Sequence, residues 1–184
     1  MSLTLTAPPA EEPVSLADLK AHLRVDGAAE DALISGLGVA ARRSIEARFG
    51  VAMVAQSWRL ALDAPIPCAV ELPIGPIASI DAIVSIGANG EEPLATNLYE
   101  TATGDIGRVA FNAAIAAPRK LNAVVIDFTA GHPGANETPE PMRLAVMALA
   151  AHYYEFREEA GVDRFHTSPQ SLNALMAPWR RVRV

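Results

Sequence analysis

Four histidines and a single cysteine are the side chains in this 184-residue sequence with the most obvious capacity for chemistry, and their spacing decides whether they use it. His22, His132, His152 and His166 are scattered along the chain. His152 and Glu155 share one helical face, but H-x-x-E lacks the second ligand that H-E-x-x-H brings to a zinc ion. A partly buried histidine at a helix interface is the expected role. Acyl chemistry on a nucleophile elbow would need G-x-S-x-G, which is absent. Gly104-Asp105-Ile106-Gly107 is followed by a strand pattern and not by a helix, so it reads as a turn and not as a phosphate cradle. Cys68 has no second cysteine to pair with, and in a proline-bounded strand it is expected to be a small buried residue rather than a reactive thiolate. Trp58 and the Tyr153-Tyr154 pair have the shape of ligand platforms, yet core or interface packing suits them better. Asn136-Glu137-Thr138 fits the glycosylation pattern, which carries meaning only in a secreted chain. With no convergent nucleophile, base or metal cluster, an enzyme is not expected, and neither is a cofactor or metal.

Composition narrows the remaining classes. Lys and Arg total 15 against 21 Asp and Glu, a net charge of −6, which disfavours tight non-specific binding to nucleic acid. Hydrophobic residues make up 51% and charged residues 20%, as in a globular chain that buries roughly 70% of its unfolded surface. Residues 1–9 lack a basic start followed by an apolar run, so no signal peptide is expected. Proline, glycine or charge interrupts every apolar stretch before the ~20 residues of a membrane span. A soluble product is the reading.

The elements that would position these residues follow from two apolar periods. Residues 1–12 show no periodicity and read as an N-terminal arm, either an ordered lead-in or a loose one. Ser15 with Asp18 forms a capping box, with Val14 stapled to Leu19, and Leu16, Leu19 and Leu23 mark a helical face. Asp26 is expected to cap a second helix over 28–49, whose stripe is Leu33, Leu37, Ala41, Ile45 and Phe49, with Ile34 beside it and Arg42, Arg43, Glu46 and Arg48 largely off it. Gly36, Gly38, Ala40 and Ala41 are small enough to admit a close helix neighbour. Between about 52 and 131 the pattern turns to short strands over 57–62, 69–72, 77–86, 98–100, 108–111 and 123–129, with a hairpin composition at 88–91. Helix returns at Thr138-Pro139-Glu140, with Met142, Val146, Leu149, Tyr153 and Phe156 as its buried stripe and Gly161 as its stop. A short helix from Ser168-Pro169 buries Leu172, Leu175 and Met176. The fold class is α+β: a helical bundle of N- and C-terminal helices (13–51 and 138–177) with an inserted small, mostly antiparallel β unit (52–131), and a C-terminal tail over 178–184.

The tail resists a bland account. Arg181 and Arg183 alternate with Val182 and Val184, which is strand periodicity in a segment with no neighbouring strand in sequence. Such a segment either frays or adds to the edge of another protein's sheet.

In order along the chain, several segments resemble the head-tail connector (adaptor) proteins of tailed phages, prophages and gene transfer agents. They are Pro13-Val14-Ser15-Leu16-Ala17-Asp18-Leu19-Lys20-Ala21-His22-Leu23-Arg24-Val25-Asp26 with Glu30-Asp31-Ala32-Leu33-Ile34, then Gln56-Ser57-Trp58-Arg59-Leu60, Phe128-Thr129-Ala130-Gly131 before Pro139-Glu140-Pro141-Met142-Arg143, Ala151-His152-Tyr153-Tyr154-Glu155, and Leu175-Met176-Ala177-Pro178-Trp179-Arg180-Arg181-Val182-Arg183-Val184. The resemblance implies a dodecameric ring in the virion neck, assembled in the bacterial host cytoplasm between the portal protein and a tail-side neck or stopper protein. Double-stranded DNA would pass through its lumen without specific binding. It also implies that Trp179, Arg180, Arg181, Val182, Arg183 and Val184 bind the portal, and it fits subunit packing at Gly36, Ala40, Ala41, Tyr153 and Tyr154. The competing reading is a DNA-binding helix-turn-helix-like module on the two N-terminal helices. Its cations Arg42, Arg43 and Arg48 come late, behind Glu30 and Asp31, whereas base-contacting residues lie near the start of a recognition helix.

Overall fold

The computed structural model describes residues 1–87, 90–115, 119–156 and 170–180. The fold is α+β, and the chain divides into two compact units. One comprises residues 1–10 and 54–133, and the other residues 11–53 and 134–184.

The first unit holds every described strand. A five-stranded sheet has the order β1 (Ser2–Ala7), β2 (Gln56–Leu62), β8 (Val124–Ala130), β4 (Ile77–Gly87), β5 (Gly90–Pro93), and a three-stranded sheet the order β3 (Ala69–Glu71), β7 (Arg108–Phe111), β6 (Tyr99–Ala102). All strand pairs are antiparallel. In β2, Leu60 and Leu62 are buried opposite Ile126 and Val124 of β8, and Phe128, beside Trp58, is buried too. Period-two alternation puts Arg59 on the other face, level with Asp127. There Arg59 donates to both Asp127 carboxylate oxygens at 2.7 and 2.8 Å and to Glu91 at 3.0 Å. Hydrogen bonding to Asp127, reinforced by its charge, raises the Arg59 pKa.

Two expectations for this unit need correction. Residues 2–7 form an edge strand paired with β2 and are not a loose arm, because Leu3 and Leu5 alternate with Thr4 and Thr6 and meet Leu60 and Trp58 across the ladder. Cys68 is exposed rather than buried, since the burial of the short β3 is confined to Val70. Gly131 fixes the end of β8: its φ is +116°, and a Cβ there would sit 2.4 Å from the Val54 carbonyl oxygen.

The second unit is helical: α1 (Leu16–Leu23), α2 (Asp31–Phe49), α3 (Glu140–Glu155) and α4 (Gln170–Met176). Ser15 caps α1, its Oγ accepting the Asp18 amide at 3.1 Å and donating to the Asp18 carboxylate at 2.8 Å. Val14 and Leu19 are both buried, as a hydrophobic staple requires. Asp26 does not cap α2. That helix begins at Asp31 behind Glu30, which makes no side-chain cap bond, and Lys20 instead holds Asp31 at 2.6 Å.

The buried face of α2 is Ile34, Gly38, Ala41, Arg42, Ile45, Glu46 and Phe49. Leu33 is 40% exposed, because a strict spacing of four drifts off a face that repeats every 3.6 residues. Gly38 admits Leu19: an added Cβ would lie 2.7 Å from its Cδ1. Arg42 is the larger surprise, being 2% exposed and held by Glu12 at 2.7 Å and Glu46 at 2.6 Å. Desolvation works against its charge, and the Glu12 hydrogen bond with both carboxylate charges outweighs it, leaving the pKa raised.

Thr138 does not cap α3. Pro139 occupies the cap position, and the buried Thr138 hydroxyl donates to the Met53 and Gly134 carbonyls at 3.0 and 3.2 Å. Met142, Val146 and Leu149 enter the core with Ile34, Ile45, Leu172 and Met176. Phe156, expected on that stripe, is 50% exposed at the C-cap of α3. Among the described residues no helix is long and apolar enough to cross a membrane.

Candidate functional site

The C-terminal segment is built outward from the helical core. Leu172 and Met176 of α4 are fully buried, and the 3-10 turn Ala177–Trp179 follows directly. Pro178 lies inside this turn, where its fixed φ is tolerated and its missing N–H costs little. Trp179 is half-buried and packs against the helical core, so it belongs to the body as much as to the tail. Arg180 caps the turn, its amide donating to the Ala177 carbonyl at 3.2 Å, and its backbone is extended (φ −68°, ψ 112°). Its side chain is exposed and lines a cavity of about 480 Å³ with Arg48, Phe49 and Asn173. Arg181, Val182, Arg183 and Val184 lie outside the described residues, as do the expected helix signals Gly161 and Ser168-Pro169.

The residues expected to pack subunits separate into two groups. Gly36 and Ala40 are exposed on the outer side of α2, and an added Cβ on Gly36 would meet nothing within 4 Å. Ala41 is fully buried in the core of its own subunit. The Tyr153 hydroxyl donates to Ser44 Oγ at 3.2 Å and the Tyr154 hydroxyl to Glu30 at 2.5 Å, so both tyrosines tie α3 to residues at or next to α2 within the subunit.

The chemically capable side chains do not converge. His152 stacks in tilted fashion on Phe156, ring centroids 4.7 Å apart, and His22 is exposed on α1. His132 has a buried Nε2 without a hydrogen-bond partner; desolvation lowers its pKa, with the Asp105 charge opposing. Trp58 Nε1 is likewise buried without a partner. Among the described residues no group of three or more His, Cys, Asp or Glu is placed to hold a metal ion. Sequence reasoning missed the Arg48–Asn173–Arg180 cavity, because its residues come from segments more than a hundred positions apart and only the helix packing brings them together.

No protein-family model matches the chain, and no curated protein does. Solved structures do. A chain described as "Neck of empty GTA particle computed with C6 symmetry" aligns with TM-score 0.82 and 30% identity, covering 100% of this chain and 97% of that one. A chain from "Virion of native gene transfer agent (GTA) particle" aligns with TM-score 0.81, and one from "Neck of native GTA particle computed with C12 symmetry" with TM-score 0.80, both at 30% identity and the same coverage. Likeness in fold and in sequence thus extends over the whole length, taking in both units and the ordered segments that carry the connector resemblance, and the chain belongs to the family of head-tail connector proteins represented in gene transfer agent particles.

Proposed function

We propose that this protein is a structural component of the neck of a phage-like particle, where identical copies form a ring between the portal and the tail and line the channel through which DNA leaves. The observation that carries this reading is the end-to-end likeness, at 30% identity, to chains of gene transfer agent necks. Necks computed with C6 and C12 symmetry also favour a cyclic arrangement of copies here. A closed ring needs two different, mutually complementary surfaces on each subunit. The outer side of α2, with Gly36 and Ala40 exposed, offers one surface that a neighbour can approach closely. A net charge of −6 suits a conduit that lets DNA slide rather than grips it. The role is architectural, without catalysis.

In this reading the tail from Arg180 to Val184 adds to the portal, with Val182 and Val184 against apolar surface and the arginines toward carboxylates or solvent. Trp179 anchors the root of the tail in the helical core. Removal of residues 181–184, which spares that anchor, is expected to leave a folded subunit that no longer docks on portal in a co-sedimentation assay. Docking that survives the truncation unchanged would show the tail reading to be wrong. The helix-turn-helix alternative gains no support from α2, since Arg42 is buried against Glu12 and Glu46 and cannot reach a base edge.

A further inference from the structure

From Leu144 to Ala151 helix α3 carries only Leu, Ala, Val and Met, so it is apolar on every side over about two turns. A helix that is apolar all round is normally buried all round. Only one side of α3 is: Met142, Ala145, Val146, Leu149 and Ala150 enter the core. By the helical period Leu144, Ala148 and Ala151 fall on the opposite side, where Leu144 is 40% exposed and the alanines are half-buried. Glu140 and Glu155, both exposed, bracket that side. The outer side of α2 is its counterpart. Leu33, Gly36, Ala40, Arg43 and Ala47 line it, all exposed, and Arg43 is its one charge. Neither Arg43 nor Glu155 makes an ion pair among the described residues. The two helices pack on each other through their buried faces, where Ile34, Ala41 and Ile45 share a core with Met142, Val146 and Leu149. Their outer sides therefore point away from each other.

We propose that the outer side of α3 is the second ring surface and that it packs on the outer side of α2 of the next copy. The proposal rests on the ring reading and adds the face that completes it. A ring closes only when each subunit carries two unlike surfaces that fit one another, and the opposed sides of α2 and α3 supply them. Shape agrees: Leu144 stands out from α3, whereas Gly36 and Ala40 leave α2 low enough to receive a neighbour's leucine. Charge agrees as well. Carboxylates flank one side and a guanidinium sits on the other, so unlike faces attract, while a pair of like faces would set Glu against Glu or Arg against Arg. Similar neck chains arranged with C6 and C12 symmetry repeat such a contact around an axis. A different neck protein is the less favoured occupant, since this chain already presents the matching face.

Cross-linking of the full chain assembled on its cognate portal tests the proposal. In a Cys68→Ser background, which removes the one native thiol, the variants are Gly36→Cys, Leu144→Cys and the two together, each treated with a short bismaleimide. All three positions are exposed, so the substitutions spare the fold, which unchanged circular dichroism verifies. The double variant is expected to give a ladder of covalent multimers on a denaturing gel. Each single variant is expected to stay monomeric, and a mixture of the two to give dimers and nothing larger. Leu144→Gln is expected to join the portal complex about tenfold less well than the native chain. Dimers from either single variant alone would show that like faces meet. Monomers from the double variant in a complex of ring mass, or native-like assembly of Leu144→Gln, would assign the outer side of α3 to another occupant, such as residues 157–169 of the same chain. Each of these results overturns the pairing of faces and leaves the connector reading standing. A chain that never joins the portal overturns both, so the two failures are distinguishable.

Discussion

Arg42 is the side chain with the most at stake in the helical unit. It is buried between Glu12 and Glu46, and Glu46 also accepts the Met53 amide at 2.9 Å, so one ionic cluster joins the segment before α1, the body of α2 and the segment after it. Replacing Arg42 with Met takes the guanidinium away from a buried carboxylate and is expected to cost about 3–5 kcal/mol in urea unfolding; a loss under about 1 kcal/mol contradicts this role. His132 sets a pH dependence in the other unit. Burial holds its pKa below the ordinary 6.5, so well above that value it is neutral whether folded or unfolded and adds no slope. As pH falls through 6.5 the unfolded chain takes up a proton that the folded chain resists, and stability drops. Thermal unfolding from about pH 7 down to about pH 5 should show a steeper loss for the native chain than for His132→Gln, and parallel curves would contradict the assignment. Neither residue was legible in sequence. The charge of Arg42 argued for a solvated face, and its burial follows from Glu12, thirty residues earlier, which no helical period connects to it.

At the scale of elements, local chemistry was the readable part. Ser15, Asp18, Val14 and Leu19 act within one turn of each other, so the start of α1 could be read directly. The strand β1 could not, since six residues with two leucines give a short alternation whose partner β2 lies more than fifty positions away. The face of α2 was misjudged only at its N-terminal end, where Ile34, expected beside the stripe, enters the core and Leu33, expected on it, does not. The two glycines of this helix now carry opposite expectations. Gly36→Ala meets open space and should stabilise the isolated subunit by about 1 kcal/mol through helix propensity. Gly38→Val drives a branched side chain into the buried Leu19 and should destabilise by about 1–3 kcal/mol. If the outer side of α2 packs subunits, Gly36→Gln unfolds at a temperature near native yet assembles poorly on portal. Thermal unfolding beside a co-sedimentation assay reads both effects, and unimpaired assembly of Gly36→Gln would remove α2 from the subunit contact.

For the molecule as a whole, composition excluded more than it assigned: a net charge of −6 argued against gripping of DNA but named no task. The family came from the order of individually weak segments, and those segments fall in both units, which is why the likeness to neck chains spans 100% of the sequence. The cavity at the tail root stayed invisible because Arg48 and Arg180 meet only through tertiary packing. What the connector account claims at this scale is occupancy of a symmetric position around the portal axis. Native mass measurement of the purified chain, alone and mixed with its cognate portal, tests that claim most directly. The account predicts a complex in which the chain matches the portal subunit for subunit in a closed ring. A chain that leaves the portal mass unchanged at concentrations well above those of assembly would contradict it.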